Sequence, residues 1–328
     1  MMTDTRNEFT SNSDFTRAIN AVLLELSNIL GEYRDSLVVS GGLAMHLLLD
    51  KREGAPSLDD RLEVGSNFVR LTKDVDLVLN LIKLDQDFDD QLESIGELLA
   101  QNRYQQAVPG QFWVKGVFLP GFETRILIPV EFLAPLPSST GGDHKLLDRV
   151  TTLQEIRPAA LDGVALALLQ PKQIYLSGET PDGRIKKDIP IQVVDPAMLI
   201  LIKAIAFADR LKKQERDPKE DKHLDHAAKH AYDISKLLHR YPGGIHALVE
   251  RLVPPYITAV GPEQPTIDDA LESLRKHFAD REAQGIRLMV REGEYRYEDG
   301  NKERDQQGTV GRVKRLLESL DKRQESIY

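Results

Sequence analysis

The chain has 328 residues, a formal net charge of −9, 41% hydrophobic residues and 29% charged residues. This composition excludes a globally disordered protein, and the length favours two domains over one. Cysteine is absent, which excludes disulfides, thiolate zinc sites and cysteine nucleophiles, so carboxylates and histidines remain as metal ligands.

The sequence gives no sign of export or of membrane insertion. No stretch approaches the roughly 18 consecutive apolar residues of a membrane-spanning helix, and the first residues lack an apolar segment. We therefore expect a cytoplasmic protein. Its acidic balance excludes a broad positive field, so a nucleic-acid partner must meet a local basic run. The candidate runs are Lys186-Lys187, Arg210–Lys213 and Arg312–Arg315.

The first elements in chain order are a helix, a strand and a second helix. Apolar residues at helical spacing predict an amphipathic helix over 14–31. The β-branched run Ser36–Ser40 predicts a strand, which Gly41-Gly42 separates from a helix over 43–50. Residues 51–67 are rich in charge, Gly, Pro and Ser, and we interpret them as a surface insertion.

The middle of the chain predicts further strands of a mixed sheet. Alternation of acidic and apolar residues over 74–80 is typical of a strand between a cleft and a core, and helical spacing returns over 87–101. The runs Phe112–Leu119 and Thr124–Leu133 flank a Pro-Gly turn and predict an antiparallel hairpin. We expect only small elements over 161–195.

The character of the sequence changes at Pro196, after which amphipathic helices dominate. Proline suits the first helical position behind Asp195 as N-cap. We therefore expect an α/β (α+β) protein in which a mixed sheet flanked by helices occupies 1–195 and a helical domain occupies 196–328. The polar segment 292–310 is interpreted as a loop before a final helix.

Two aspartates in the strand over 74–80 are the first candidates for chemistry. Asp74 and Asp76 are separated by one residue, so on a strand their side chains point to the same side. Two ionised carboxylates at close range repel each other unless a cation neutralises them. The hard oxygen ligands favour Mg²⁺, which can bridge them to the phosphates of a nucleotide.

Glu131 is the third candidate carboxylate. It lies among apolar residues of the run Ile126–Phe132, where a charged side chain is unfavourable without a partner. If it faces Asp74 and Asp76, the three residues can hold one or two Mg²⁺ ions that activate an attacking oxygen and stabilise a departing pyrophosphate. Glu131 is then also the candidate base.

The turn at Ser40-Gly41-Gly42 is the candidate phosphate-binding element. Glycine allows the backbone to approach a triphosphate closely, and the N-terminus of the following helix offers N–H donors and a favourable dipole. Ser40 is interpreted as a phosphate-contacting or structural hydroxyl, because no histidine near it in the sequence could activate it as a nucleophile.

Taken together, these motifs resemble a known superfamily. Gly-Gly, then Arg-x-Thr-x-Asp-hydrophobic-Asp at 70–76, then a single carboxylate on a later strand is similar to the polymerase-β-like nucleotidyltransferases. Within that superfamily the chain resembles the AbiEii-type enzymes, the toxin partners of type IV toxin–antitoxin systems, which include the mycobacterial MenT-type enzymes. The likeness covers about 36–240. It implies Thr72 as a nucleotide-binding residue beside Ser40, Gly41 and Gly42.

The resemblance extends into the helical half. The segment 195–204 resembles that group's entry to its second domain and implies that Lys203 contacts the triphosphate. Lys203 on a mostly apolar helix also needs an anionic partner, which a triphosphate would supply. The segment 229–234 resembles a later basic-acidic motif and implies that Lys229 and Asp233 lie at the rim of the cleft.

The function implied is transfer of a nucleoside monophosphate from an NTP to an acceptor hydroxyl. The resemblance implies RNA, particularly a tRNA 3′ end, as acceptor, together with toxin-like action and a possible cognate antitoxin. Two alternatives remain open at this point. One is an antibiotic adenylyltransferase of the aminoglycoside type, since an acidic protein suits a cationic substrate. The other is a non-catalytic partner-binding protein that keeps the fold.

Overall fold

The computed structural model describes residues 12–49, 74–86, 92–108, 112–118, 125–136, 144–258, 264–293 and 301–325. The strands are β1 (Leu37–Val39), β2 (Val75–Leu79), β3 (Gln105–Val108), β4 (Phe112–Val117), β5 (Ile126–Pro135), β6 (Ala159–Leu161), β7 (Lys172–Glu179) and β8 (Ile185–Val193). The helices are α1 (Asn12–Ile29), α2 (Gly41–Leu49), α3 (Leu81–Gln86), α4 (Ile95–Gln101), α5 (His144–Leu153), α6 (Pro196–Arg216), α7 (Lys222–Arg240), α8 (Gly244–Thr258), α9 (Gln264–Phe278), α10 (Gln284–Gly293) and α11 (Asn301–Glu325).

The strands form one mixed sheet, as the sequence predicts. The strand order is β3-β4-β5-β2-β1-β8-β7, and β6 pairs with β5. Strands β4 and β5 are antiparallel, which confirms the predicted hairpin partners, whereas β2 pairs with β5 in parallel. The central strands β1, β2 and β5 are buried on at least one face, and their Val, Leu and Ile residues join the hydrophobic core.

The N-terminal elements follow the sequence pattern closely. Helix α1 buries its apolar stripe against the sheet, and β1 is a fully buried strand, as expected. The prediction is wrong in one detail, because Gly41 and Gly42 form the first turn of α2 and do not precede it. The expected insertion over 51–67 and the Pro-Gly turn at 120–121 lie outside the described residues.

The segment 161–195 contains more sheet than the sequence suggests. Strands β7 and β8 form a long antiparallel hairpin, and β8 pairs in parallel with β1. Apolar residues of this hairpin are exposed, Tyr175 by 59% and Ile185 by 74%, so the alternation of apolar and polar residues that identifies a half-buried strand is weak here. This hairpin occupies the sheet edge and carries the chain directly from β8 into α6.

The second half is helical, as predicted, and one core runs through both halves. The start of α6 confirms the expected cap, since Pro196 occupies the first turn and the Asp195 carboxylate accepts from the Ala197 N–H at 2.8 Å. The expected loop over 292–310 is wrong from residue 301 onward, where α11 begins. Among the helices of the described ranges, none combines the length and the apolar character that crossing a membrane requires.

A buried carboxylate joins the sheet to the helical half. Asp195 is fully buried and, besides capping α6, accepts from Nε of Arg251 on α8 at 2.8 Å. The ammonium group of Lys172 on β7 lies 3.5 Å from the same carboxylate. Arg251 also donates to the carbonyl of Gln170. Three elements that are distant in sequence therefore meet at one side chain.

We expect Asp195→Ala to lower the free energy of unfolding by about 2–4 kcal/mol, because it removes a helix cap and leaves Arg251 without its carboxylate. The matched control is Asp209→Ala on the same helix, whose exposed pair with Lys213 should contribute less than about 1 kcal/mol. Urea denaturation of both variants makes the comparison. Equal losses would contradict the proposed role of Asp195.

Candidate active site

The sheet register brings two of the three candidate carboxylates side by side, and the third lies directly before the same strand. Strands β2 and β5 are parallel, with Asp76 directly opposite Glu131. Neighbouring strands lie about 4.8 Å apart, so the two side chains leave the sheet side by side. Asp74 is a bend residue directly before β2, so strand alternation does not place its side chain, but its charge acts on Glu131. All three side chains are half-buried. Val75 and Val130, the pair that precedes Asp76 and Glu131 on the two strands, are fully buried on the opposite face.

Burial and a neighbouring negative charge both act on Glu131. Burial raises the pKa of Glu131, and the negative charge of Asp74 raises it further. A carboxyl group with a raised pKa is a better proton acceptor near neutral pH than an ordinary exposed glutamate. The effect of Asp74 on Glu131 places a second negative charge in the electrostatic environment of this glutamate.

The glycine turn lies against the same carboxylates. Gly41 has φ +67°, and a Cβ atom built there would be 1.7 Å from Oδ2 of Asp76. Only glycine fits at this position, because any side chain would occupy the space of the carboxylate. The Ser40 N–H donates to the carbonyl of Asp76 at 2.9 Å, which ties the turn to β2. The buried Ser40 therefore holds the turn in register with the acidic strand.

Helix α2 starts at this turn and points its N-terminus to the acidic face. Its first-turn N–H groups and dipole favour an anion near Gly41, as the sequence suggests. The helix also contacts α6 and α7 of the helical half. Helix α2 therefore packs against the two helices that carry Lys203 and Lys229.

Lys203 and Asp233 form a buried ion pair. The Lys203 ammonium group donates to Oδ2 of Asp233 at 2.8 Å, and the side chains are 7% and 1% exposed. This pair joins α6 to α7 and supplies the anionic partner for which the sequence suggested a triphosphate. Asp233 is consequently in the interior and not at an open rim. Lys229 lies one turn before it and is half-buried. Their nucleotide contacts stay predictions.

The donor set fits a hard divalent cation. Its ligand atoms are all carboxylate oxygens, which Mg²⁺ prefers. Burial, followed by the charge of Asp74, raises the pKa of Glu131, and a bound cation would offset both effects. Within the described ranges, no three acidic or histidine side chains already adopt the spacing of a metal-ligand cluster. A cation would therefore have to draw the carboxylates together. Thr72 lies outside the described residues.

Sequence reasoning missed the residues that connect this site to the helical half. The contact between Asp195 and Arg251 spans 56 residues, and no local pattern announces it. Asp195 lies near the glycine turn, because β1 and β8 are parallel and the Val194 N–H donates to the Val39 carbonyl. The sequence predicts Asp195 as a helix cap. It does not predict the contact of Asp195 with Arg251, because that contact depends on how α8 packs against α6.

Known protein families, curated proteins and solved structures offer no match to this chain. The support for a function therefore comes from the geometry of the chain's own residues.

We expect Gly41→Ala to lower the free energy of unfolding by more than about 2 kcal/mol, because it adds a clash with Asp76 to the strain of a positive φ. Gly183→Ala is the matched control. Gly183 has φ +81°, but its Cβ would meet Glu179 at an ordinary 3.5 Å, so only the strain of about 1–2 kcal/mol applies. Urea denaturation distinguishes the two, and a loss at Gly41 no greater than at Gly183 would refute the close approach.

The pair of Lys203 and Asp233 yields a second test by denaturation. Lys203→Met leaves a buried carboxylate without its ammonium partner and should destabilise the protein by about 3–5 kcal/mol. Combining it with Asp233→Leu removes both charges and should restore the stability to within about 2 kcal/mol of the wild type. If the double variant is as unstable as the single one, the unpaired charge of Asp233 is not the cause of the destabilisation.

Proposed function

We propose that the chain is a magnesium-dependent nucleotidyltransferase that transfers a nucleoside monophosphate from an NTP to an acceptor hydroxyl. The observation that carries the proposal is the convergence of Asp76, Glu131 and the Gly41 turn, with Asp76 opposite Glu131 in the sheet and in contact with Gly41. This arrangement provides ligands for a cation beside a backbone that can approach phosphate. The motif likeness to AbiEii-type enzymes adds support at the same residues.

Each residue has a defined task in this scheme. Asp74 and Asp76, with Glu131, hold magnesium, which when bound neutralises negative charge on the phosphates and the leaving group. Ser40, Gly41 and Gly42 orient the triphosphate through the first turn of α2. Glu131, whose pKa is raised, accepts the proton of the acceptor hydroxyl. The hydroxyl oxygen bonds to the α-phosphorus while the bond to the bridging oxygen breaks, and pyrophosphate leaves.

The acceptor we propose is RNA, in particular a tRNA 3′ end, and the action is toxin-like with a cognate antitoxin as possible partner. Both follow from the motif likeness. The aminoglycoside-type substrate differs from RNA in charge, so a direct comparison of acceptors separates the two. A protein without catalysis would label neither.

The decisive experiment incubates the purified protein with each labelled NTP, Mg²⁺ and either total RNA or an aminoglycoside. We expect label in RNA, and we expect Asp76→Asn to reduce it by about 10²-fold or more, because it removes a negatively charged ligand without changing the side chain's size. Asp35→Asn is the matched control, since Asp35 is exposed and lies in the turn before β1.

Three outcomes would overturn parts of this proposal. Label in the aminoglycoside alone would favour the antibiotic-modifying enzyme, and no label in either acceptor would favour the non-catalytic protein. Full activity of Asp76→Asn would refute the assignment of the carboxylates. The stable double variant of Lys203 and Asp233 adds a further readout, because loss of NTP affinity there would support a nucleotide contact for Lys203.

A further inference from the structure

A second concave site lies in the helical half, away from the carboxylates. It is a cleft of about 790 Å³ between the last turn of α7, the first turn of α8 and the C-terminal half of α11. Its walls carry the cations Arg312, Arg315, Lys322 and Arg323, and Glu250 is the one carboxylate among the lining residues of the described ranges. Glu250 pairs with Arg323 at 2.6 Å. The cleft is therefore strongly positive in a protein of net charge −9.

Two arginines of this cleft lack a carboxylate partner within the part of the chain that the structure describes. Arg312 donates to the Gly308 carbonyl and Arg315 to the Gly311 carbonyl, each at a long 3.3 Å, and both acceptors belong to α11 itself. Asp305, the carboxylate that acts on Arg312, is paired with Lys236 at 2.9 Å. Burial, followed by the charge of Arg315, lowers the pKa of Arg312. Like charges are thus held together without a counter-ion.

The floor of the cleft depends on a glycine inside a helix. A Cβ at Gly308 would lie 2.6 Å from the His239 ring and 3.1 Å from a guanidinium nitrogen of Arg312. Glycine in a helix interior lowers stability by about 1 kcal/mol relative to alanine. At position 308 it leaves room for the His239 ring and the Arg312 guanidinium group beside the backbone of α11. Burial and the charge of Arg312 lower the pKa of His239 to about 4, so this imidazole is neutral at pH 7.

The N-terminus of α8 forms the opposite wall. Residues 243–246 line the cleft, Gly243 and Gly244 have φ +79° and +70°, and the first turn of this 15-residue helix contains no acidic residue. Its N–H groups and dipole therefore add to the positive potential of the arginines. Helix terminus and guanidinium groups lie on facing walls of one cleft, which is the arrangement that surrounds a phosphate group.

We propose that this cleft binds a small, multiply charged phosphate compound, with Arg312 and Arg315 as its principal ligands. Guanidinium groups match phosphate oxygens in pairs, and the volume is that of a site for a nucleotide-sized molecule. A nucleic-acid backbone fits less well, because it needs an extended positive stripe. On α11 that stripe is interrupted by the exposed Glu318 and by Asp321, which pairs with Arg275.

The test is calorimetric titration of the full chain with inorganic tripolyphosphate at low salt, with a chelator present so that Mg²⁺ at the carboxylates does not contribute. We expect saturable binding that weakens about tenfold or more in the Arg312→Gln/Arg315→Gln variant, since charge-assisted hydrogen bonds are lost. Lys314→Gln is the matched control on the same helix. Lys314 is exposed and does not line the cleft, so its loss should leave the affinity unchanged.

Several results would overturn the assignment. The protein could fail to bind tripolyphosphate, Lys314→Gln could weaken binding as much as the double variant does, or the double variant could bind as tightly as the wild type. Tight binding of a short RNA oligonucleotide without binding of tripolyphosphate would replace the small ligand with nucleic acid. Arg315→Gln alone guards against misfolding, because Arg315 is exposed. Asp76→Asn should bind tripolyphosphate normally, so failure of the proposed transferase activity and failure of this cleft are distinguishable.

Discussion

The pairing of β2 with β5 is the constraint on which the candidate active site depends. Parallel register puts Asp76 opposite Glu131, and Asp74 directly precedes β2 and acts electrostatically on Glu131. Folding also raises the pKa of Glu131, chiefly by burial and further by the charge of Asp74. The hydrophobic residues on the opposite face supply the stability that holds this repulsive arrangement in place. The proposed magnesium site rests on this arrangement of carboxylates.

Ionic contacts in the interior determine how the helical half meets the sheet. Asp195 caps α6 and accepts from Arg251, and Lys203 pairs with Asp233 between α6 and α7. Buried pairs of this kind contribute geometry more reliably than net stability, because desolvation offsets much of their attraction. The Asp195 contacts therefore join the sheet to the helical half, whereas the Lys203–Asp233 pair joins two helices within that half.

Positive and negative potentials are segregated in this molecule. The carboxylate face of the sheet suits a cation, whereas the cleft beside Arg312 and Arg315 suits an anion, and the two are built on different halves of the chain. The basic run over 312–315 was visible in the sequence as a surface for a nucleic-acid partner. The helix divides that run, because two arginines line the cleft while Lys314 is exposed outside it.

The sequence by itself determined the mixed sheet, the helical second half, the start of α6 at Pro196 and the candidate carboxylates, because each leaves a local signal of alternation, helical spacing or capping. The sequence did not predict the β7–β8 hairpin, because exposed apolar residues blur its alternation, and it did not predict that the final helix begins at residue 301. Tertiary structure alone decided that Glu131 faces Asp76, that Lys203 meets Asp233 and that the arginines of α11 share a cleft. Those facts depend on register and on contacts between residues distant in sequence, which short-range spacing does not encode.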